Sequence, residues 1–109
     1  MANRYKLIVN VPATHADAVR KAMGDAGAGR VALYQDCSFS VRGVGRFTPR
    51  PGANPHIGAI GIPETVEEEQ IQVDIMKDDV KAVVAAMKGA HPYEEIGYEL
   101  YPVLSEDDI

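Results

Sequence analysis

Apolar residues alternate with polar ones close to the start of the chain. The apolar positions there are Tyr5, Leu7, Val9 and Val11. A period of two over this length predicts a strand with one buried face, closed by Pro12. After it the period changes to three and four residues, in a stripe made of Ala16, Val19, Met23 and Ala26. That stripe predicts a helix, with Thr14 as its N-cap and Gly27 as its left-handed C-terminal cap. Residues 31–35 then predict a short second strand.

The second half of the chain repeats this pattern. The alternating apolar residues of its first strand are Ile71, Val73 and Ile75, and the helical stripe that follows is Val80, Val83, Val84 and Met87. Asp78 is the expected N-cap of this helix and Gly89 its expected end. Residues 96–103 predict the last strand. A shift of 64 positions superimposes the two halves, for example Leu7 on Ile71.

Two βαβ units of this size predict an α+β fold of the ferredoxin-like type. Its order is βαββαβ, and it forms an antiparallel four-stranded sheet with both helices on one face. Right-handed crossovers favour this arrangement over its mirror image. The other face then carries Ile8, Met76 and either Tyr98 or Tyr101. Since a monomer usually exposes less apolar surface than this, we expect an oligomer formed across the sheet.

The segment of residues 36–66 differs in composition from the rest of the chain. It holds five of the ten glycines and four of the seven prolines, and it shows no helical period. A connection of this length in a small domain is more often functional than not. We expect a hairpin arm over residues 38–47 and a further turn over residues 51–55.

Length and composition narrow the class of protein. The chain has 109 residues and a formal charge of −5. These values suit one domain over residues 1–109 and argue against general nucleic-acid binding, which needs a basic face. No apolar run approaches the ~20 residues of a membrane span, and no signal segment is recognisable at the N-terminus. Because a single cysteine cannot form an internal disulfide, we expect a cytoplasmic protein.

A glycine-rich stretch is the first candidate for a binding site. Gly43 and Gly45 lie between Arg42 and Arg46, and Arg50 follows. Glycines let backbone amides converge on an anion, and arginines clamp phosphate or carboxylate groups. The alternative is a bulged hairpin with solvated arginines, because neither a P-loop lysine nor a directly following helix accompanies the glycines.

Possible metal ligands form the second candidate. Imidazole, thiolate and carboxylate groups suit zinc or copper, and Cys37, His91 and Glu94 are the best set. No CxxC or HxxxH spacing supports a site within one element. In the alternative interpretation Cys37 is a small packed side chain, and residues 91–95 form a turn that Pro92 makes rigid. A nucleophilic site that pairs Cys37 with a histidine has no spacing in its favour.

Two longer motifs resemble a known family. The first runs through Gly43-Val44-Gly45-Arg46-Phe47-Thr48-Pro49 and on to Gly52-Ala53-Asn54-Pro55-His56-Ile57-Gly58, and the second is His91-Pro92-Tyr93-Glu94-Glu95. Together they resemble the inserted domain of the Nif-three-like (YqfO, dinuclear-metal-centre) proteins, over nearly the whole chain. The second motif is also similar to one in CutA, the cation-tolerance protein.

The resemblance implies a PII-like module that is ferredoxin-like in fold, usually trimeric, and has its ligand sites between subunits. In the longer relatives the two-metal site is built by flanking halves that this chain does not contain. Neither those ligands nor the cyclohydrolase activity is therefore carried over, since a fold does not imply a function.

These observations together predict a non-enzymatic PII-like binding or regulatory module, a homotrimer whose site lies at the subunit boundary. The expected ligand-binding residues are Arg42, Gly43, Gly45, Arg46, Arg50, His56, Tyr93 and Glu95. The ligand is expected to be a small anion; if a zinc or copper ion binds, its expected ligands are Cys37, His91 and Glu94. Three alternatives stay open: a CutA-like divalent-metal binder, an accessory subunit of a dinuclear-metal hydrolase, and an oligomer with a purely structural role.

Overall fold

The computed structural model describes residues 2–109, and its elements follow the predicted βαββαβ order. Their bounds are β1 (Arg4–Pro12), α1 (Ala16–Asp25), β2 (Phe39–Phe47), β3 (Glu64–Met76), α2 (Val80–Ala90) and β4 (Tyr98–Val103). Short 3-10 turns precede both helices, at Ala13–His15 and Lys77–Asp79, and a third lies near the C-terminus at Glu106–Asp108. The predicted ferredoxin-like α+β class is thereby confirmed.

The four strands form one antiparallel sheet in the order β2-β3-β1-β4. β1 lies in the middle, with Val9 opposite Ile71 on β3 and opposite Tyr98 on β4. β3 is long enough to pair with β1 through its second part and with β2 through its first, where Gly43 lies opposite Glu68. The start of β3 and the end of β2 therefore project past β1 as a two-stranded arm.

A single apolar cluster lies between the sheet and both helices. Its sheet side is made of Leu7, Val9, Val11, Ile71, Val73 and Ile75, and its helix side of Ala16, Val19, Met23, Val83 and Met87, with Ala28 beside them. Ala26, Val80 and Val84 pack against this cluster. The stripes predicted from the two hydrophobic periods are thus the buried ones. Because both helices contribute to one cluster, they cover the same face of the sheet.

The predicted short strand over residues 31–35 is wrong. Val31 and Tyr34 face each other across a tight turn, and the backbone N–H of each donates to the carbonyl oxygen of the other, with N···O distances of 3.0 and 2.9 Å. Within this turn Ala32 has φ +50°. These bonds use the backbone N–H and carbonyl groups that would otherwise pair with a neighbouring strand. The second strand of the sheet is instead β2, over the residues for which the sequence predicts a hairpin arm.

The helix ends also differ from those predicted. α1 begins at Ala16 and Thr14 is not its cap, because the Thr14 Oγ1 lies 2.9 Å from the His15 Nδ1 instead. α2 is preceded by Asp79 rather than Asp78, and it continues past Gly89 to Ala90. It ends where the residue before Pro92 is forced into an extended conformation. Gly27 is confirmed as a left-handed residue, with φ +118°.

The face of the sheet opposite the helices is open. Met76 is 49% and Tyr101 47% exposed there, and Ile8 is half-buried beside them. Tyr98, opposite Val9, lies on the helix side, so of the two tyrosines considered it is Tyr101 that faces outward. Within residues 2–109, no helix has the length and apolar character needed to cross a membrane.

Candidate functional site

A cavity of about 560 Å³ lies at the end of the arm, where β2 ends and β3 begins. Its walls come from three parts of the chain: the end of β2, the loop that follows it as far as Ile57, and the connection between α2 and β4. Asn10 and Glu68 close it from the middle strands. This volume is typical of sites that hold a small molecule.

The loop after β2 is ordered by two backbone turns. The Ala53 N–H donates to the Arg50 carbonyl at 3.0 Å, with Pro51 and Gly52 between them. Gly52 has φ +99°, which is the conformation that the third residue of a type II turn requires, and Pro51 favours the second position. The Gly61 N–H donates to the Pro49 carbonyl at 2.8 Å and closes the loop at its base. The loop is therefore a defined wall of the cavity.

Glu94 connects this loop to the segment after α2. Its Oε1 accepts the backbone N–H of Asn54 at 2.8 Å, across 40 positions of sequence. A hydrogen bond from a backbone N–H to a carboxylate is strong and directional. Glu94 therefore positions the loop against the segment that carries Tyr93 and Glu95.

His91 is buried and has both ring nitrogens engaged. Its Nε2 lies 2.7 Å from the Asn10 carbonyl oxygen, which can only accept, so that Nε2 carries the proton. Its Nδ1 accepts the Tyr93 N–H at 3.2 Å. Burial lowers the pKa of His91 below its ordinary 6.5, although the bond to Asn10 opposes this shift. His91 is therefore a neutral residue that shapes the turn.

Tyr93 lies at the centre of the cavity's aromatic wall. Its ring centroid is 5.1 Å from that of His91, 6.0 Å from that of Phe47 and 6.5 Å from that of His56. Its hydroxyl donates to Glu68 Oε2 at 3.1 Å. Burial, followed by the charge of Glu68, raises the pKa of Tyr93 to about 12. Tyr93 is thus a hydrogen-bond donor throughout the physiological range.

Most of the residues expected to bind a ligand line this one cavity. They are Gly45, Arg46, Arg50, His56, Tyr93 and Glu95, and Glu94 joins them. Arg42 and Gly43 do not line it. Arg42 lies four residues before Arg46 on β2, away from the cavity, and its Nη2 is 3.9 Å from Glu69 Oε2, beside the closer pair that Arg20 makes with Glu69 at 2.6 Å.

The expected metal ligands are not brought together. Cys37 lines a separate cavity of about 350 Å³ with Arg20 and Asp36. His91 and Glu94 already have the partners described above. Across residues 2–109, the structure places no three His, Cys, Asp or Glu side chains where they could share a metal ion. A zinc or copper site built from Cys37, His91 and Glu94 is therefore not formed within one chain.

Sequence reasoning did not single out several residues of the cavity, among them Glu68 and Phe47. Glu68 belongs to the acidic run of residues 67–69, which suits an ordinary solvated strand, and Phe47 is the end of the predicted arm and part of the first motif. The available signal was the pair of glycines at Gly43 and Gly45, which leaves room beside a strand for a neighbouring side chain. Only the structure identifies that side chain as Glu68, which lies opposite Gly43 in the sheet and extends its carboxylate over Gly45.

Comparison with known proteins identifies long relatives of this chain, although no family model matches it. The chain is 48% identical over 104 residues to a protein of Halalkalibacterium halodurans and 46% identical over 98 residues to one of Bacillus subtilis, both named GTP cyclohydrolase 1 type 2 homolog. These matches cover 95% and 90% of the chain but 28% and 26% of the relatives. The chain thus spans about a quarter of the length of the curated relatives it matches.

Solved structures agree on the fold. A Bacillus cereus protein related to NIF3 matches with a TM-score of 0.80 and 44% identity, over 94% of this chain and 26% of that one. CutA1 from Shewanella sp. SIB1 matches at 0.68 and 15% identity, over 95% and 84% of the two chains. The Bacillus subtilis GlnK–ATP complex matches at 0.62 and 11% identity, over 94% and 84%. The last two likenesses show the fold alone. The first, with the sequence relatives, shows that the chain is similar to one part, about a quarter of the length, of longer proteins of the Nif-three-like (YqfO) family.

Proposed function

We propose that this chain is a non-enzymatic, PII-like binding or regulatory module that takes a small anionic ligand. The observation that carries the proposal is the cavity at the end of the arm, because it collects Arg46, Arg50 and His56 with Tyr93 and Glu95 from two distant segments. Cavities that bring convergent polar groups onto an apolar wall are the usual sites for small molecules.

The charges of the cavity support an anionic ligand. Neither Arg46 nor Arg50 takes part in an ion pair within the described residues. Guanidinium groups without a partner bind phosphate or carboxylate through charge-assisted hydrogen bonds. The loop that carries Arg50 is held by its own turns and by Glu94, so that less conformational entropy is lost when a ligand binds.

We place the site at a boundary between copies of this chain in a homotrimer. β2 is an outer strand of the sheet. Among the described residues, no strand pairs with its outer edge. Phe39 and Val44 on it are 64% and 54% exposed. A long outer strand with exposed apolar side chains is a surface that proteins usually cover. A second copy next to β2 would lie beside the cavity that begins at Gly45.

Native mass spectrometry of protein purified without chelator tests the assembly and any retained ligand together. A trimer that carries a small anion is the expected result. A monomer would contradict the placement of the site between subunits. A stoichiometric metal ion that is lost in the His91→Ala variant would instead establish the CutA-like alternative.

Thermal unfolding with added inorganic phosphate, ATP or GTP tests anion binding. The melting temperature should rise with ligand concentration, because a ligand that binds only the folded state stabilises it by mass action. The Arg50→Gln variant should lose this rise. Arg30→Gln is the matched control, since Arg30 is exposed and lies outside the cavity. No rise with any of the three compounds would reject the proposal.

A further inference from the structure

The cavity contains charge of both signs. Glu68 lines it together with Arg46 and Arg50. No ion pair joins Glu68 to either arginine, or to any other cation among residues 2–109. A purely anionic ligand would satisfy the arginines, leave this carboxylate without a cationic partner and be repelled by it.

The hydrogen bonds of Glu68 leave part of its carboxylate free. Tyr93 donates to Oε2 at 3.1 Å, and no donor to Oε1 is present in the described part of the chain. An ionised carboxylate has about four acceptor positions. At least one oxygen therefore remains able to accept a hydrogen bond from a molecule inside the cavity.

Aromatic rings line the same cavity as this carboxylate. Tyr93, which donates to Glu68, lies tilted beside His56 and edge-on to Phe47, with ring centroids 6.5 and 6.0 Å away. Ring faces attract cations and also stack on planar heterocycles. A carboxylate set among such rings is suited to an N–H donor group, either an ammonium group or the N–H edge of a nucleobase.

We infer that the ligand of this cavity is dipolar: it presents an N–H donor group to Glu68 and an anionic group to Arg46 and Arg50. The inference rests on the proposed function and specifies its ligand class. Two sources share this chemistry, amino-acid-like zwitterions that carry a phosphate, and nucleotides whose base has an N–H edge. Glu68 then serves as the residue that distinguishes such ligands from simple anions.

Isothermal titration with paired probes tests the inference. Phosphoserine and 3-phosphooxypropanoate differ only in the amino group, and ATP and purine riboside triphosphate differ only in the exocyclic amino group, which is the one N–H donor of the base. The donor-bearing member of at least one pair should bind more tightly, and the pair that discriminates identifies the source. Glu68→Gln should weaken that member about tenfold or more, since hydrogen bonds to charged groups are among the stronger ones. It should leave inorganic phosphate unchanged or slightly tighter.

The control variant is Glu67→Gln, which removes the same charge one residue away on a side chain that does not line the cavity. It should change none of these affinities by more than about twofold, because exposed charges act weakly through solvent. Binding of phosphate and of both members of each pair with equal affinity would overturn the inference while the proposed function stands. Failure of every probe to bind would overturn both.

Discussion

The Glu68 carboxylate lies directly over the backbone of Gly45, so that a Cβ atom at position 45 would collide with it. Two residues earlier on the same strand, Gly43 has open space where its Cβ would be. The two glycines look equivalent in the sequence but have different roles. Gly45 makes room for a carboxylate that faces the cavity, and Gly43 does not.

The Gly45→Ala variant should therefore lose ligand affinity and keep its fold. The added methyl group displaces the far end of a flexible side chain, so the free energy of unfolding should fall by less than about 1 kcal/mol. The Glu68 carboxylate must leave its position beside Tyr93, and donor-bearing ligands should bind more weakly. Gly43→Ala is the control and should change neither quantity. Equal affinities in the two variants would contradict this role of Gly45.

Substitution of Glu68 should be visible in the titration of Tyr93. Removal of the negative charge in Glu68→Gln makes the phenolate easier to form, so the pKa of Tyr93 should fall from its value of about 12. It should stay above the ordinary 10.0, because burial is the larger cause of the shift. NMR of the assigned Tyr93 ring during alkaline titration measures this change. Glu67→Gln should leave the titration where it is, and a rise in either variant would contradict the contact.

His91 should make the protein less stable in mildly acidic solution. Its pKa in the folded state lies below 6.5, so that the unfolded chain binds the proton more readily than the folded chain. The stability that this residue contributes is therefore complete above pH of about 6.5 and is lost as the pH falls through the folded-state pKa. Urea unfolding between about pH 7.5 and 5.5 should show this loss.

His91→Gln tests the cause of that pH dependence. A glutamine amide can still donate to the Asn10 carbonyl but does not titrate, so the loss of stability below about pH 6.5 should become smaller. His56→Gln, in which His91 is retained, should keep it. If the two variants show the same pH dependence as the unaltered chain, the neutral state of His91 does not limit stability in this range.

Gly29 should be far less tolerant of substitution than Gly61. The two residues have nearly the same φ, +78° and +79°. Substitution by alanine therefore adds the same backbone strain, roughly 1–2 kcal/mol, at each position. A Cβ on Gly29 would also collide with the backbone of Cys37, which cannot move aside easily, whereas one on Gly61 meets open space. Chemical denaturation should show Gly29→Ala to be the more destabilised by well over 1 kcal/mol. Similar losses would contradict the close approach at Gly29.

The open face of the sheet should control assembly. Met76→Lys places a charge on this face, where Met76 is 49% exposed, and should shift the trimer that we propose towards monomer at micromolar concentration. Leu33→Lys is the control, because Leu33 is 99% exposed at the tip of the turn over residues 31–34. Sedimentation analysis of both variants distinguishes them. A trimer that tolerates Met76→Lys would show that contacts along β2 suffice for assembly and that the open face is not part of the interface.

The helix N-caps and one short strand differ from their predictions because local turns form in their place. Thr14 and Asp78 have the right chemistry for N-caps, but a 3-10 turn precedes each helix and moves its start. The segment from Val31 to Tyr34 has residues typical of a strand. It forms a turn closed by two backbone hydrogen bonds instead of joining the sheet. Hydrogen-bonded turns and helix starts differ by small free energies that depend on neighbouring structure, so composition does not decide between them.

The hydrophobic periods by themselves determined the order of the elements and the buried stripes, because burial of an apolar face imposes a period of two on a strand and of three to four on a helix. The two motifs, noticed through their resemblance to a known family, contain most of the residues that line the cavity. Only the tertiary structure decided which side chains act together. The pairing of β2 with β3 sets Glu68 opposite Gly43, with its carboxylate reaching over Gly45, and the bond from Asn54 to Glu94 joins segments 40 positions apart. Pairings of this kind depend on contacts between distant residues, which no local pattern records.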